Sequence, residues 1–143
     1  MALGLPADIH RLQDSTRTAP EAAVAVGCEL GAIVKSLVFR GVSGEPLLAL
    51  LSGDNRADEA LIETAFGEAV ERPDAAYVRE VTGYAIGGIP PIGHPAPVRV
   101  LLDEDLFRFD TVWAAAGNPH AVFPVAPAAL AQATSAHVTR LAA

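Results

Sequence analysis

The sequence IVKSLVF (residues 33–39), followed by GVSG (41–44) and PLLALL (46–51), decides the fold. Two runs rich in branched apolar residues on either side of a glycine-bounded turn are typical of an antiparallel pair of β-strands. Apolar residues occupy both faces of this pair, and a strand that is apolar on both faces is covered on both sides. The sequence therefore predicts a hairpin at the centre of a sheet.

Helical and strand patterns flank the hairpin in both directions. Prolines, aspartates and glycines at suitable ends predict four helices, over about 20–26, from Asp54 or Asp58 to 66, over 75–82 and over 127–133. Further strands are predicted at 69–71, 98–102, 111–116, 121–125 and 137–141, and residues 1–19 suggest a brief N-terminal helical extension. We expect a single domain over 1–143 of the mixed α/β (α+β) class, in which helices surround a mixed, partly barrel-like sheet of about six or seven strands.

The overall composition limits the classes of function. At 143 residues, 51% of them hydrophobic and 19% charged, the chain is typical of one compact domain without a membrane segment. A net charge of −7 argues against a broad surface for duplex DNA or RNA, although it allows a local contact with a nucleotide end. The single Cys28 excludes an internal disulfide, and the first ten residues lack the features of a secretory signal, so we expect a cytoplasmic protein.

Lys35 is the first residue that suggests chemistry. Side chains alternate along a strand, so Lys35 shares a face with Leu37 and Phe39, where a hydrophobic residue is expected. An unpaired ammonium is costly to bury, so this side chain must reach water, meet a carboxylate, lose its proton or face a cavity that holds a polar group. A lysine that simply reaches solvent near a strand end is the alternative.

The segment GGIPPIGH (residues 87–94) predicts a loop with a defined shape. Proline lacks an amide donor and glycine adds little to a helix or strand, so this segment suits neither. Glycines allow the backbone to approach a ligand closely, and His94 can bind, orient or transfer a proton. A proline-stiffened connection whose histidine faces water is the alternative that the loop alone leaves open.

Other reactive residues form weaker patterns. Cys28 could serve as a nucleophile with His94 as its base, but a lone cysteine between a helix and a strand is more often a small buried side chain. The four histidines have no metal-binding spacing, and the chain lacks phosphate-binding and dinucleotide-binding glycine motifs, so we predict neither a metal nor a cofactor. Residues 103–105 (Asp-Glu-Asp) could form a metal or base cluster, although a solvated turn is the simpler interpretation, and Trp113 suits the core.

Three segments together resemble the YbaK/ProX family of aminoacyl-tRNA editing domains. They are IVKSLVF (33–39), GGIPPIGH (87–94) and AAAGNPHAVFPV (114–125), and the resemblance extends over about residues 20–141. The family pattern GxxxPxGH is matched at Gly87, Pro91, Gly93 and His94. Three signatures in the right order are more specific than any one of them alone.

The resemblance implies hydrolysis, in trans, of the ester that joins a wrongly attached amino acid to the 3′ end of a tRNA, often a proline tRNA. The family includes free-standing deacylases and the editing insertion of bacterial prolyl-tRNA synthetases, so the implied partner is an aminoacyl-tRNA 3′ end, and a partner synthetase is left open. Lys35 corresponds to the family's essential catalytic lysine. The implied substrate-binding residues lie in the glycine-rich loop and a later glycine turn: Gly87, Gly88, Pro91, Gly93, His94, Gly117 and Asn118.

Ester hydrolysis places negative charge on the carbonyl oxygen, and preorganised donors aimed at that oxygen give the largest rate enhancement. Lys35 and backbone amides can supply these donors. Water, or a hydroxyl of the substrate's own ribose, would then be activated largely by its placement, without a protein nucleophile. Two other functions stay open: a non-catalytic module that binds an amino acid or nucleotide, and a thiol-dependent hydrolase that uses Cys28 and His94. Which small amino acid would be removed is also open, because one methylene changes selectivity by only about 1–3 kcal/mol.

Overall fold

The computed structural model describes residues 10–11, 19–82, 98–115 and 121–142, and the structural statements below concern these residues. They form four α-helices, two 3₁₀-helices and eight β-strands. The helices are α1 (Ala19–Val26), α2 (Glu59–Phe66), α3 (Ala75–Thr82), α4 (Pro127–Thr134) and the 3₁₀-helices Leu30–Ala32 and Glu104–Arg108. The strands are β1 (His10–Arg11), β2 (Val34–Gly41), β3 (Pro46–Ser52), β4 (Val70–Glu71), β5 (Arg99–Asp103), β6 (Val112–Ala115), β7 (Ala121–Val125) and β8 (His137–Thr139).

The larger sheet is mixed and has the strand order β4-β2-β3-β5-β8. β2 pairs antiparallel with β3 and with β4, whereas β3 is parallel to β5 and β5 is parallel to β8. β3 is the middle strand, and its residues 47–52 are all buried. The prediction of a hairpin at the centre of a sheet is therefore confirmed.

A second, antiparallel sheet has the order β1-β7-β6. A parallel bridge between Ile33 and Trp113 joins the start of β2 to β6 and so links the two sheets. The predicted mixed α/β class is confirmed. The described strands are distributed over two sheets instead of one, because β7 pairs with β6 and β1, and the bridge between Ile33 and Trp113 is the backbone pairing that these described strands make with the start of β2.

The N-terminal prediction differs from the structure at two residues. His10 and Arg11 form β1, paired with Val122 and Ala121 of β7, where the sequence suggested a helix. Pairing with a distant strand sets the conformation of this short segment, and a local pattern cannot reveal such pairing. Residues 1–9 and 12–18 of the predicted extension lie outside the described residues.

Alternation along the central hairpin divides the core in two. One face of the hairpin packs towards the second sheet and α4. Its Val34, Val38, Leu48 and Leu50 form a cluster with Leu102, Val112, Phe123 and Leu130. The other face packs against α2. Its Phe39, Leu47 and Leu51 form a cluster with Ile62 and Phe66 of α2 and with Leu101 of β5. Lys35 falls on the second face by the same alternation, among residues that bury apolar surface.

Capping groups fix the helix ends close to their predicted positions. The Asp58 side chain accepts hydrogen bonds from two amides of the first turn of α2, at 3.0 and 3.4 Å. Gly67 ends this helix in the left-handed region with φ 97°, where a side chain would be strained. At the start of α3, the amide of Tyr77 donates to Asp74 Oδ1 at 2.8 Å. The predicted positions of both helices are therefore confirmed.

None of the helices in the described part of the chain is both long enough and apolar enough to cross a lipid bilayer.

Candidate active site

Lys35 is the second residue of β2 and the only lysine in the chain. Its side chain is partly buried, and its Nζ donates a hydrogen bond to the backbone oxygen of Asn55 at 2.7 Å. Lys35 is paired with Leu51 across the hairpin, and Asn55 follows in the turn after β3. The hairpin register therefore brings the amine to this turn.

The surroundings of Lys35 lower the pKa of its amine below the ordinary value of 10.5. Partial burial is the largest cause, because an ammonium loses solvation when it leaves water. The positive charges of Arg72 and Arg56 act in the same direction, and the carboxylate of Asp54 opposes them. The amine therefore releases its proton at a lower pH than an exposed lysine does.

A solvent-open cleft of about 400 Å³ lies in front of this amine. Three cationic side chains line it, those of Lys35, Arg56 and Arg72, and they outnumber the one carboxylate in the lining, that of Asp54; the apolar side chains of Leu30 and Leu37 also line it. Converging positive charges attract anionic groups, and they do so here in a chain whose net charge is −7. The cleft therefore suits a ligand that carries both a small apolar group and a negative charge.

Two contacts hold the Arg72 side chain beside the cleft. Its guanidinium lies over the ring of Phe39, 5.2 Å from the ring centre, and its Nε is 4.0 Å from Glu59 Oε2. The Arg72 side chain is 56% exposed, so the long ion pair with Glu59 adds little to stability. The Arg72 guanidinium can still leave its weak ion pair with Glu59 and bind a phosphate, for which its planar group offers bidentate hydrogen bonds.

A hydrogen-bonded network fixes the turn that carries Asp54. Arg108 Nη2 donates to Ser52 Oγ at 2.9 Å and to Asp54 Oδ1 at 2.5 Å, and the buried Ser52 hydroxyl also contacts the backbone oxygen of Gly31. Loss of solvent alone would raise the pKa of Asp54, but the bonds from Ser52 and Arg108 outweigh it and hold the pKa below 3.8. Asp54 therefore stays ionised beside the cleft.

Gly31 allows this network to pack closely. A Cβ at this position would lie 2.7 Å from Arg108 Nη2 and 2.9 Å from Asp54 Oδ2, closer than ordinary contacts. Any larger residue would have to displace the side chains that hold the turn.

The acidic segment 103–105 differs from the solvated turn that the sequence favoured. Asp103 is 1% exposed, and it accepts hydrogen bonds from the amide of Leu141 at 3.1 Å and from Asn55 Nδ2 at 3.2 Å. Asp105 Oδ2 accepts a second bond from Asn55 Nδ2 at 2.7 Å. Asp103 and Asp105 thus hold the side chain of Asn55, and the backbone oxygen of Asn55 accepts the hydrogen bond from Lys35.

Cys28 packs with apolar side chains near the end of α1. Its neighbours in this small cluster include Ala22, Ala23, Ile33 and Trp113. Partial burial raises the pKa of the Cys28 thiol above its ordinary value of 9.0, with a smaller contribution in the same direction from the charge of Glu29. The thiolate, which is the nucleophilic form, is therefore disfavoured.

The other residues that the sequence singled out lie outside the described residues: Gly87, Gly88, Pro91, Gly93, His94, Gly117 and Asn118. The structure brings Lys35 together with three residues that the sequence analysis did not assign to a site, Asn55, Arg56 and Arg72, and links it through Asn55 to Asp103 of the acidic segment. The signal available for two of them is the polar run SGDNR (52–56) directly after a buried strand. The described ranges contain no group of three or more His, Cys, Asp or Glu side chains that could hold a metal ion.

The profile of the family described as "Aminoacyl-tRNA editing domain" matches residues 13–133. A Bacillus subtilis (strain 168) protein, "Uncharacterized protein YwhH", is 33% identical over 125 residues, which are 87% of this chain and 80% of that protein. An Enterococcus faecalis (strain ATCC 700802 / V583) protein is 29% identical over 119 residues, 82% of this chain and 73% of that protein. It is named "Putative Cys-tRNA(Pro)/Cys-tRNA(Cys) deacylase EbsC".

A solved structure is similar over almost the whole chain. The "Crystal structure of a putative trans-editing enzyme for prolyl tRNA synthetase" superposes with a TM-score of 0.91 and 46% identity, and covers 99% of this chain and 90% of that one. The family profile spans well over half of the chain, and the B. subtilis relative matches most of it. The chain therefore belongs to the aminoacyl-tRNA editing domain family, which confirms the resemblance to YbaK/ProX sequences.

Proposed function

We propose that this protein is a deacylase that hydrolyses the ester of a mischarged tRNA in trans, with tRNA-Pro carrying a small non-cognate amino acid as substrate. The position of Lys35 carries the proposal. Its ammonium borders the open cleft, and among the described residues it gives one of its three N–H bonds to Asn55. An ammonium carries three N–H bonds, so it can also donate to a substrate carbonyl oxygen. Such a substrate is made where tRNAs are charged, so the proposal includes action in the cytoplasm.

The names of the similar proteins support this choice of substrate. The E. faecalis relative is named for Cys-tRNA(Pro) and Cys-tRNA(Cys), and the solved structure for trans-editing with prolyl tRNA synthetase. The first name concerns a small amino acid attached to tRNA, and the second concerns the synthetase that charges tRNA with proline. The 46% identity over nearly the whole chain makes the solved structure a reasonable guide to the substrate class.

In the proposed reaction, a water oxygen attacks the carbonyl carbon of the aminoacyl ester. Negative charge then develops on the carbonyl oxygen, and the Lys35 ammonium donates hydrogen bonds to it. The bond from this carbon to the ribose oxygen breaks, and the proton lost by the water passes to that oxygen. The products are the free amino acid and tRNA with both terminal hydroxyls restored. A hydroxyl of the terminal ribose can assist by holding the water in place.

The proposal also assigns positions to the two glycine-bearing segments. Gly93 and His94, with Gly117 and Asn118, would position the ester and the terminal adenosine, as the family resemblance implies. Support for the second segment comes from the topology, because Lys35 and Ala115, the last residue of β6, each lie two residues from the Ile33–Trp113 bridge. The 116–120 segment therefore begins close in sequence to the point where the two sheets meet.

Incubation with a panel of charged tRNAs tests the proposal directly. We expect release of alanine or cysteine from mischarged tRNA-Pro, and no release of proline from correctly charged tRNA-Pro. Binding of the charged tRNA without release of any amino acid would contradict it and favour a non-catalytic module. Equal release of proline from correctly charged tRNA-Pro would contradict the proposed discrimination between proline and smaller amino acids.

Arg72→Ala is expected to raise KM for an aminoacylated minihelix at least about tenfold, because a charge-assisted contact with a phosphate contributes about 1.5–3 kcal/mol. The KM for aminoacyl-adenosine, which has no phosphate, should not change. Steady-state kinetics with both substrates measure this difference. Arg79→Ala, which removes an exposed cation from α3, is the matched control. An equal rise in KM for both substrates would show that Arg72 does not act on a phosphate.

Cys28→Ser should leave the deacylation rate within about twofold of wild type. The thiol is packed against apolar side chains and its raised pKa disfavours the thiolate, so the lysine-centred reaction does not need it. Single-turnover deacylation of one mischarged tRNA measures the rate. A loss of 100-fold or more, with the fold intact by circular dichroism, would favour a thiol-dependent hydrolase.

A further inference from the structure

We infer that Asn55 and the buried Asp103 are positioning residues for the Lys35 amine, with Asp103 acting on it through Asn55. The inference rests on the proposed function, in which this amine is the catalytic group. It draws on residues from three parts of the fold: β2, the turn after β3 and the end of β5. None of the sequence patterns placed these residues together.

The geometry forms a continuous chain of hydrogen bonds. Lys35 Nζ donates to Asn55 O at 2.7 Å. Asn55 Nδ2 donates to Asp105 Oδ2 at 2.7 Å and to Asp103 Oδ2 at 3.2 Å, which uses both of its N–H bonds. The backbone amide of Asn55 also donates a hydrogen bond, to the backbone oxygen of Ser52 at 3.0 Å. Hydrogen bonds thus hold both the side chain and the backbone amide of Asn55. They fix its backbone carbonyl towards the Lys35 amine.

Asp103 divides its two oxygens between two tasks. Oδ1 accepts from the amide of Leu141 and so ties down the C-terminal segment, whereas Oδ2 accepts from Asn55. A carboxylate that is 1% exposed is costly to keep, and the hydrogen bonds from these neutral donors offset that cost. Because the tasks use different oxygens, a change at Asn55 removes the positioning contact and leaves the Leu141 contact in place.

The amine needs such support because lysine has a long, flexible stem and three rotatable donors. A donor displaced by about 1 Å can cost about 100-fold in rate. The Asn55 oxygen fixes the direction of one N–H bond, and this sets the directions of the other two. The contact also favours the charged form of the amine, against partial burial and the charges of Arg72 and Arg56, while the carboxylate of Asp54 acts with it.

The test compares Asn55→Ala with wild type in two measurements. The first is single-turnover deacylation, where we expect a rate roughly 10- to 100-fold lower with KM changed less than twofold. The second is NMR titration of protein labelled with ¹³Cε-lysine, which gives one side-chain signal because Lys35 is the only lysine. We expect the Lys35 midpoint to move to lower pH, since the Asn55 backbone oxygen, which alanine retains, is no longer held towards the amine by the bonds to Asp103 and Asp105.

Two further variants complete the design. Asp103→Asn keeps the size of the side chain and should shift the titration in the same direction. Thr134→Val removes a hydroxyl that donates to Leu130 O at 2.8 Å in α4, and it controls for a general loss of stability. An unchanged Lys35 midpoint and rate in Asn55→Ala, or changes no larger than those in Thr134→Val, would overturn the inference. If wild type releases no amino acid from any tRNA, the proposed function fails, while the titration still decides whether Asn55 and Asp103 act on the amine.

Discussion

Lys35→Ala is expected to lower the rate of deacylation at least about 100-fold while the protein stays folded. Removing one preorganised donor to a developing oxyanion typically costs this much, or about 2.7–4 kcal/mol in the transition state. The fold should not suffer, because the amine is a partly buried charge whose desolvation opposes folding. Single-turnover hydrolysis of mischarged tRNA-Pro, with thermal unfolding measured in parallel, checks both expectations.

Three related variants serve as comparisons for Lys35→Ala. Lys35→Met keeps the apolar stem and should be as inactive as alanine, since only the charge and the donors are lost. Lys35→Arg keeps the charge in a planar, wider group and should restore at most a small part of the rate. Arg40→Ala removes a cation from the same strand, one that pairs with Glu71 at the surface, and should leave the rate unchanged. Activity of Lys35→Ala close to wild type would remove the basis of the proposed function.

The pH dependence of the reaction follows from the lowered pKa of Lys35. Below the pKa the amine is charged and donates to the carbonyl oxygen, and above it the positive charge is lost. The rate relative to uncatalysed hydrolysis should therefore fall as pH rises through a value below 10.5. In this way the pH profile reports on the same amine that the substitution removes.

The sequence predicted those parts of the molecule that depend on local patterns. Apolar runs around a glycine turn gave the central hairpin, and strict alternation placed Lys35 on the face with Leu37 and Phe39. Asp58 and Gly67 set the limits of α2 because capping depends on residues within one turn. These features are encoded within short stretches of chain, so they can be read without knowledge of the fold.

Contacts between distant parts of the chain could not be read in this way. Asn55 meets Asp103 and Asp105 across 48 and 50 residues, through the parallel pairing of β3 with β5. The sequence offered only an acidic triplet, which is usually solvated, and nothing in it distinguished the buried Asp103 from its exposed neighbour Glu104. Arg72 reaches the cleft for a similar reason, because its position depends on β4 pairing with β2.

Phe39→Ala is expected to destabilise the protein by about 3–5 kcal/mol, the largest effect on stability that we predict. Phe39 is fully buried on the face of β2 that α2 covers, where it packs with Leu47, Ile62 and Phe66. Its removal loses apolar burial and leaves a cavity that surrounding strands cannot close, because they are held by the ladder on both sides of β3. A domain of this size has about 5–15 kcal/mol of stability in total, so much of it would be lost.

Urea unfolding of Phe39→Ala and of Phe107→Ala measures this difference with a matched pair. Phe107 lies in the second 3₁₀-helix and is 45% exposed, so its truncation should cost less than about 1 kcal/mol. The Phe39 ring also supports the Arg72 guanidinium, and Phe39→Leu, which keeps most of the buried volume, separates the two roles. We expect Phe39→Leu to recover most of the stability but to show a raised KM for the minihelix, because Arg72 then loses the ring beneath it. Equal destabilisation by Phe39→Ala and Phe107→Ala would contradict the assignment of Phe39 to the core that supports the cleft.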